Sequence, residues 1–531
     1  MFSNTAHSLE DILGKAYTDH LVKAAVVIGM DEDEAIRLAT EKVEFWPESH
    51  QKAIKNLASK LGQQVLPPLE SPDGAGTASF NKVTKKGPAP VGGIGPYRIG
   101  EDGRVYMASK AEHYHIPLGH RFPGYQLLQN ARQLGMLNAT HNNSRGYITR
   151  MTERRLIAAA NGLAMDDPRL DAIIAGEDPN ALCRVLNINT GSLAVEAGIK
   201  MMLARFYKQE PASPTPKYTG KTPVFLVMQD YNEGPEAGYH GTTLTAHTFR
   251  GLWPDLKQKL EEGGIYKIVP VAINDLEDLR KKLEIYNSGD FKTAGFLHEI
   301  VLMNYGAIAL EKEYLQKAHA LCRAYDTLCL VDEIQSCAWY PEQMLFRRYG
   351  LQPDFVVVGK GFPGGENSGS KILCKAEADN LVLFGALITN GQEELTNLSY
   401  LTTMQFIADQ AEELARLQTR WDTIGQTLAK DYPDVLTGAE GLGYLASLQF
   451  ADAQQAGVFA KKLTGRCIDT SAQLYKANCP PAALFKLPII MQNVNVCILH
   501  DDGQLKEGCP SSCRMQTLTF WKQTSGKYCR K

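Results

Sequence analysis

Two strand-like runs end in charged residues of opposite sign. Leu328-Cys-Leu-Val331 leads into Asp332-Glu333-Ile334-Gln335, and Asp354-Phe-Val-Val-Val358 leads into Gly359-Lys360-Gly361. An acid and an amine at the ends of buried strands, 28 residues apart, suit either a structural ion pair at a sheet edge or a reactive site. Asn187-Ile-Asn-Thr-Gly191-Ser192 precedes a helical stretch reaching about Phe206. Gly191 and Ser192 would present free backbone N–H groups to a phosphate dianion, or simply continue an ordinary N-cap. Gly238-Tyr239-His240-Gly241 follows another strand candidate. Its tyrosine could stack on a planar ring or pack in a turn. Glu299 interrupts the apolar run Gly295–Met303, marking either a hydrogen-bonding site or an edge strand.

Together these are the parts that would hold pyridoxal phosphate: a helix start for the phosphate, an aromatic for the ring face, an acid for the ring nitrogen and a lysine for the aldehyde. The elements that must position them follow a clear rhythm. Strand candidates Val224–Gln229, Lys267–Ala272, Gly295–Met303, Leu328–Ile334, Asp354–Gly359 and Lys371–Cys374 alternate with helical stretches. The clearest of these helices is 309–325. Such alternation predicts right-handed crossovers and a mostly parallel sheet, with ligands beyond its carboxyl edge. The first 65 or so residues read as helical, with N-cap signals at Ser8 and Asp31. Residues 67–97 are rich in Gly, Pro, Lys and Ser and read as a linker or extended arm. One long helix is expected from Glu393 to Lys430, and a smaller α/β unit after it.

Composition bounds what this site can serve. The chain has 531 residues, 44% hydrophobic and 22% charged, enough for several domains or one large enzyme fold with a satellite. A net charge of −3 argues against wrapping nucleic acid. No apolar run reaches membrane-spanning length. Residues 1–20 contain Glu10, Asp11 and Asp19 and show no secretory signal. The 11 cysteines are scattered, several inside apolar runs, as in a protein of a reducing, cytoplasmic compartment. Cys509 and Cys513 offer too few ligands for zinc, and no metal is expected. Residues 504–531 carry six Lys/Arg and one Glu, a basic tail that reads as a solvated terminus, with an anionic partner as the other reading.

The ordered motifs resemble the class III aminotransferases, a branch of the fold type I pyridoxal-phosphate enzymes. Asp102-Gly-Arg-Val-Tyr106 and Gly119-His120-Arg-Phe-Pro123 are similar to that family's D-G-x-x-Y and G-H-x-x-P signatures. The match continues through Asn189–Lys200, Tyr239-His-Gly241, Asp332–Ser336, Pro353-Asp354 and Gly359-Lys-Gly361, covering roughly residues 98–450. The resemblance implies an α/β fold: a large domain with a mostly parallel, seven-stranded-type sheet flanked by helices, a smaller C-terminal α/β domain and, here, a helical N-terminal extension. The corresponding boundaries are 1–97, 98–400 and 401–531. It implies Lys360 as the Schiff-base lysine, Asp332 on the pyridine nitrogen, Gln335 on the ring 3-oxygen, Gly191 and Ser192 on the phosphate, Tyr239 on the ring face with His240 beside it, and Glu299 as the active-site glutamate. Thr389 matches the threonine that reaches the neighbouring subunit's phosphate, which implies a homodimer with a shared site. Lys486, in Phe485-Lys-Leu-Pro488, stands nearest the family's arginine for a substrate carboxylate.

Three departures touch the substrate side. Cys337-Ala-Trp-Tyr340 replaces a glycine-containing stretch, Leu193 replaces a glutamate, and Glu393-Glu394 replaces Asn-Pro. The expected activity is transfer of an amino group from an amino acid or amine to a keto acid or aldehyde. Aminomutase, racemase, decarboxylase and lyase chemistry on the same fold, and a catalytically decayed scaffold, are the competing readings.

Overall fold

A computed structural model describes residues 1–110, 115–138, 143–474, 476 and 479–491, with the backbone of strands 495–500 and 517–522. The N-terminal region forms helices Leu9–Leu13, Lys15–Val27, Glu32–Thr40 and Glu48–Ala58. Ser8 and Asp11 make a reciprocal capping box, and the Asp31 carboxylate accepts from the Glu34 N–H at 3.1 Å. Leu9, Leu13 and Phe45 are fully buried in the same core as Leu398 and Phe406, so the extension packs onto the rest of the chain.

The expected linker 67–97 is partly structured. Pro90–Ile94 pairs antiparallel with Tyr97–Gly100, which pairs with Val105–Met107. Gly95 (φ +55°) and Pro96 form the two-residue turn between the first two strands, so the glycine and proline that suggested a linker build a hairpin.

Seven strands form the central sheet: β1 (Arg184–Ile188), β2 (Thr222–Met228), β3 (Lys267–Val271), β4 (Phe291–His298), β5 (Leu328–Asp332), β6 (Phe355–Val358) and β7 (Ser370–Cys374), in the order β1-β7-β6-β5-β4-β2-β3. β7 runs antiparallel to both neighbours, while β6, β5, β4, β2 and β3 are mutually parallel. Continuous apolar runs such as Val356-Val-Val358 are buried on both faces, as a covered parallel sheet requires. β1 escaped the sequence reading because it is an edge strand, only half-buried over Arg184–Leu186, and carries no such run. The expected strand Gly295–Met303 is divided. β4 ends at His298, and Val301–Leu302 pairs with Ile308–Ala309 in a separate hairpin, so Glu299 lies just past the strand's carboxyl end.

Helix α1 (Gly191–Leu203) follows β1, and α2 (Lys312–Ala324) leads into β5. The single helix expected over 393–430 is two, α3 (Glu394–Asp409) and α4 (Ala411–Asp431). They break at Gln410, whose Oε1 accepts from the Ser3 N–H at 3.0 Å and whose Nε2 donates to the Ser3 carbonyl at 2.8 Å. The second sheet holds β8 (Gly438–Leu442), β9 (Leu445–Gln449), β10 (Ser471–Gln473) and β11 (Ala482–Lys486) in the antiparallel order β8-β9-β11-β10, with α5 (Ala453–Gly465) between β9 and β10. Strands 495–500 and 517–522 pair parallel. Cys509 and Cys513 lie outside the described residues, as does the basic tail apart from that last strand. Among the described residues no helix is long and apolar enough to cross a membrane.

Candidate active site

A cavity of about 220 Å³ opens at the carboxyl edge of the parallel strands. Gly191, Ser192, Tyr239, His240, Glu299, Asp332, Gln335 and Lys360 all line it. These residues come from the loop ends of β1, β2, β4, β5 and β6, which is where a doubly wound sheet presents ligands.

At one end stands the first turn of α1. The Thr190 N-cap is extended (φ −139°, ψ 147°), leaving the N–H groups of Gly191 and Ser192 at the open helix end. A Cβ on Gly191 would lie 2.6 Å from Ile334 Cδ1, so a larger residue would have to displace that side chain. Ser192 Oγ accepts from the Thr242 N–H at 3.0 Å, and Gly241 (φ +105°) lets that loop approach Ser192. Leu193, which replaces the usual glutamate, points to solvent, 38% exposed. One turn on, Glu196 accepts from Thr243 Oγ1 at 2.8 Å and Thr245 Oγ1 at 3.0 Å, tying the Tyr239 loop to α1.

At the other end the charges are buried. Asp332 Oδ2 lies 3.1 Å from His240 Nδ1, and Asp332 Oδ1 accepts from the Ile334 N–H at 3.1 Å. Burial, reinforced by the Asp332 charge, pushes the Glu299 carboxyl well above the usual carboxylate range. Glu299 Oε2, His240 Nε2 and Asn189 Oδ1 are buried without a hydrogen-bond partner among the described residues. Three unsatisfied polar atoms around one cavity call for a polar ligand there. Lys360 takes a left-handed backbone, φ +32°, unusual for a lysine and costing on the order of 1–2 kcal/mol. It is held there by tight flanks: a Cβ on Gly359 would lie 2.3 Å from Ser370 Oγ, and one on Gly361 2.5 Å from the Trp339 ring. A helix start for a dianion, an acid for a ring nitrogen, an aromatic edge and a constrained amine fit pyridoxal phosphate.

Two of the sequence candidates do not line the cavity. Thr389 is exposed on the loop before α3. Lys486 is fully buried in β11, where its ammonium donates to Gln335 Oε1 at 3.1 Å and sits 3.9 Å from the Trp339 ring centre. It therefore orients Gln335 from behind. Asn189, His115 and the segment Ser368–Ser370 line the cavity and were not anticipated as site residues. β7 is antiparallel, so its first residue, not its last, reaches this edge, which a search of strand ends overlooks. No motif marks His115.

The departures have structural duties. Cys337, Ala338, Trp339 and Tyr340 are all fully buried. Trp339 Nε1 donates to the Leu487 carbonyl at 3.0 Å and Tyr340 to the Leu442 carbonyl at 3.0 Å, joining the active-site loop to the second sheet. The Cys337 thiol sits against the Gly359 backbone, with burial pushing its pKa up to about 12, so it is inert packing.

A family model described as class-III aminotransferase matches residues 93–471, and the chain belongs to that family. Its cofactor is pyridoxal phosphate. Among curated relatives, putrescine aminotransferase of Pectobacterium atrosepticum is 27% identical over 292 residues, 53% of this chain and 57% of that protein. Acetylornithine aminotransferase of Prochlorococcus marinus is 23% identical over 59% of this chain and 70% of its own. The alignment thus spans little more than half of the first and over two thirds of the second. Among solved structures, ornithine aminotransferase of Toxoplasma gondii superposes with a TM-score of 0.58 at 20% identity, covering 78% of this chain and 89% of that one. An adenosylmethionine-8-amino-7-oxononanoate aminotransferase of Methanocaldococcus jannaschii gives 0.59 at 16% identity, with 79% and 92% covered. At such identities the likeness shows the fold, the fold type I α/β architecture.

Proposed function

We propose that the chain is an aminotransferase, moving an amino group from an amino acid or amine to a keto acid or aldehyde in two half-reactions on one site. The observation that carries this is the convergence of Lys360, Asp332 and the open start of α1 on one largely buried cavity. Pyridoxal phosphate supplies an aldehyde for amine capture and a ring that withdraws electrons. Asp332, oriented by His240, holds a proton at the ring nitrogen position. The Lys360 amine anchors the group and then carries a proton between the amine-bearing carbon and its acceptor. Gly191 and Ser192 would hold the phosphate, Tyr239 would lie against the ring, and Gln335, held by Lys486, would meet the ring oxygen. Glu299, its carboxyl held well above the usual range by burial and the Asp332 charge, lines the same cavity.

The relatives' names, putrescine, ornithine and acetylornithine, support a primary aliphatic amine as the group exchanged. The reading extends to domains 1–97, 98–400 and 401–531, and to a cytoplasmic homodimer in which Thr389 serves the neighbouring site. Among the described residues the cysteines are unbridged and buried, which supports the reducing compartment. The exposed loop carrying Leu383, Phe384 and Thr389 supports the dimer.

The test is spectroscopic. Purified protein with cofactor should be yellow, absorbing at about 410–430 nm, and Lys360→Ala should lose that band. Saturating amino donor should bleach the band in the wild type, and a keto acid should restore it. A band that survives every amine and amino acid donor would sink transamination in favour of another reaction on this fold.

A further inference from the structure

Next to Glu299, between the sheet and the helix that covers it, two histidines meet in an otherwise apolar layer. His298 is the last residue of β4 and His319 lies on α2, and both are buried, at 0% and 3% exposure. Their Nε2 atoms are 2.9 Å apart. His298 Nδ1 lies 3.1 Å from the backbone carbonyl oxygen of Glu299, the residue that lines the cavity. The Phe296 ring centre is 4.9 Å from that of His298, and Leu315, Ala318 and Cys322, which share a helix face with His319 by their spacing, are fully buried. His319 Nδ1 is buried without a hydrogen-bond partner among the described residues.

The partners assign the protons. A carbonyl only accepts, so His298 Nδ1 carries the hydrogen that meets Glu299. In a neutral ring the other nitrogen accepts, so His319 Nε2 donates to His298 Nε2, and the partnerless His319 Nδ1 is a bare acceptor. Charging either ring would bury a cation near His240, Arg323 and Lys375, and burial with those neighbours holds both rings below the usual histidine range, His298 at about 4. Among the described residues no group of three ligating side chains could hold a metal ion, so the pair is not part of a metal site. Two polar rings in an apolar layer cost desolvation that leucine or valine would avoid, which calls for a duty beyond packing. The bond they make falls on the Glu299 peptide, where the chain leaves β4 for the Val301–Leu302 hairpin.

We propose that His298 and His319 are positioning residues, a neutral donor–acceptor pair that fixes the Glu299 peptide from α2 and so sets where the Glu299 carboxyl stands in the cavity. This rests on the reading of the cavity as the pyridoxal phosphate site and deepens it. Neither ring lines the cavity, so the pair acts through Glu299. Glu299 shares that space with Lys360 and Asp332, and a displaced carboxyl alters the surroundings of both. A shift on the order of 1 Å at such a place can slow a reaction about 100-fold.

His319→Met and His319→Phe remove the donor to His298, and the test needs only one of them to fold; His319→Gln restores an N–H at that place. Pyridoxal phosphate should bind the apolar variants about fivefold or more weaker, and ornithine at saturation should bleach the cofactor band about tenfold or more slowly, with the half-saturating concentration within about twofold of wild type. His319→Gln should recover most of both. A role in packing alone would lower the thermal midpoint and move neither. In cofactor-free wild type labelled with 15N at histidine, His298 should be the Nδ1–H tautomer and His319 the Nε2–H tautomer, both neutral from about pH 6 to 8, the signals assigned by their loss in variants at each position. The opposite tautomers, or a charged ring in that range, overturn the pair. Unchanged cofactor binding and bleaching in a folded apolar variant overturn its positioning role. A wild type that neither ornithine nor putrescine bleaches, but whose cofactor binding weakens in His319→Met and recovers in His319→Gln, keeps the pair and counts against transamination instead.

Discussion

Asp332 and Glu333 are neighbours with opposite duties. Asp332 lines the cavity, whereas Glu333 is fully buried and accepts from Ser336 Oγ at 2.6 Å, the Leu345 N–H at 2.9 Å and the Phe346 N–H at 2.5 Å. Burial outweighs those three bonds and raises its pKa from 4.5 to about 7. The folded state therefore binds more protons than the unfolded chain between these values. Stability from this group is fully present below pH 4.5 and falls as pH rises toward 7, by about 3 kcal/mol in all. Unfolding free energies measured at pH 5 and pH 8 should show this loss, and in Glu333→Gln the pH dependence should be flatter by about that amount. An identical slope in the variant would remove Glu333 as its source. Asp332 was legible in the sequence because an acid ending an apolar strand demands a reason. Nothing local distinguishes the acid beside it, since its partners Leu345 and Phe346 arrive from the next loop and helix.

Among the elements, a substitution in one helix caps another. Glu394, in the first turn of α3, accepts from the Ile148 N–H at 2.9 Å and Thr149 Oγ1 at 2.7 Å, at the start of helix Tyr147–Asn161. The N-cap of that helix, Gly146, has no side chain to do this, and a Cβ there would lie 2.1 Å from Glu394 Oε1. Glu394→Ala should cost about 2 kcal/mol and lower the thermal midpoint, with Glu394→Gln recovering part of the loss. A variant that melts like the wild type would show that water replaces the cap. The helices themselves were legible from apolar periodicity and N-cap residues. The break between α3 and α4 was not, because it answers to Ser3, 407 positions away. Periodicity carries no information about so distant a partner.

At the scale of the molecule, the two sheets are joined through the active-site loop, and a groove at the β1 edge of the large sheet remains open. Leu383 is 79% exposed and Phe384 61%, beside Thr389 and the edge strand β1. Large apolar side chains grouped on a loop next to a groove mark a surface to be covered. A second copy of the chain is the occupant proposed above. Leu383→Asp combined with Phe384→Asp should shift the protein from dimer to monomer by light scattering and reduce turnover at least about tenfold, since buried charges break an apolar interface and Thr389 would then serve no site. A double variant that remains dimeric at full activity would place the interface elsewhere.

The sequence alone determined the frame and several of the residues that meet at the cavity. A parallel strand buried on both faces needs an unbroken apolar run, and a charge at its end stands out against that run, so β5, β6, Asp332 and Lys360 could be read directly. Tertiary structure decided what each remaining charge is for. Lys486 was anticipated beside a substrate carboxylate, yet it is turned toward Gln335 and Trp339. Ser370 reaches the site because β7 runs against its neighbours. Glu299 and Asp332 come together from the ends of two strands, and no spacing rule connects them. The physical reason is the same in each case: burial and neighbouring charges set the state of an ionisable group, and both are properties of the folded chain.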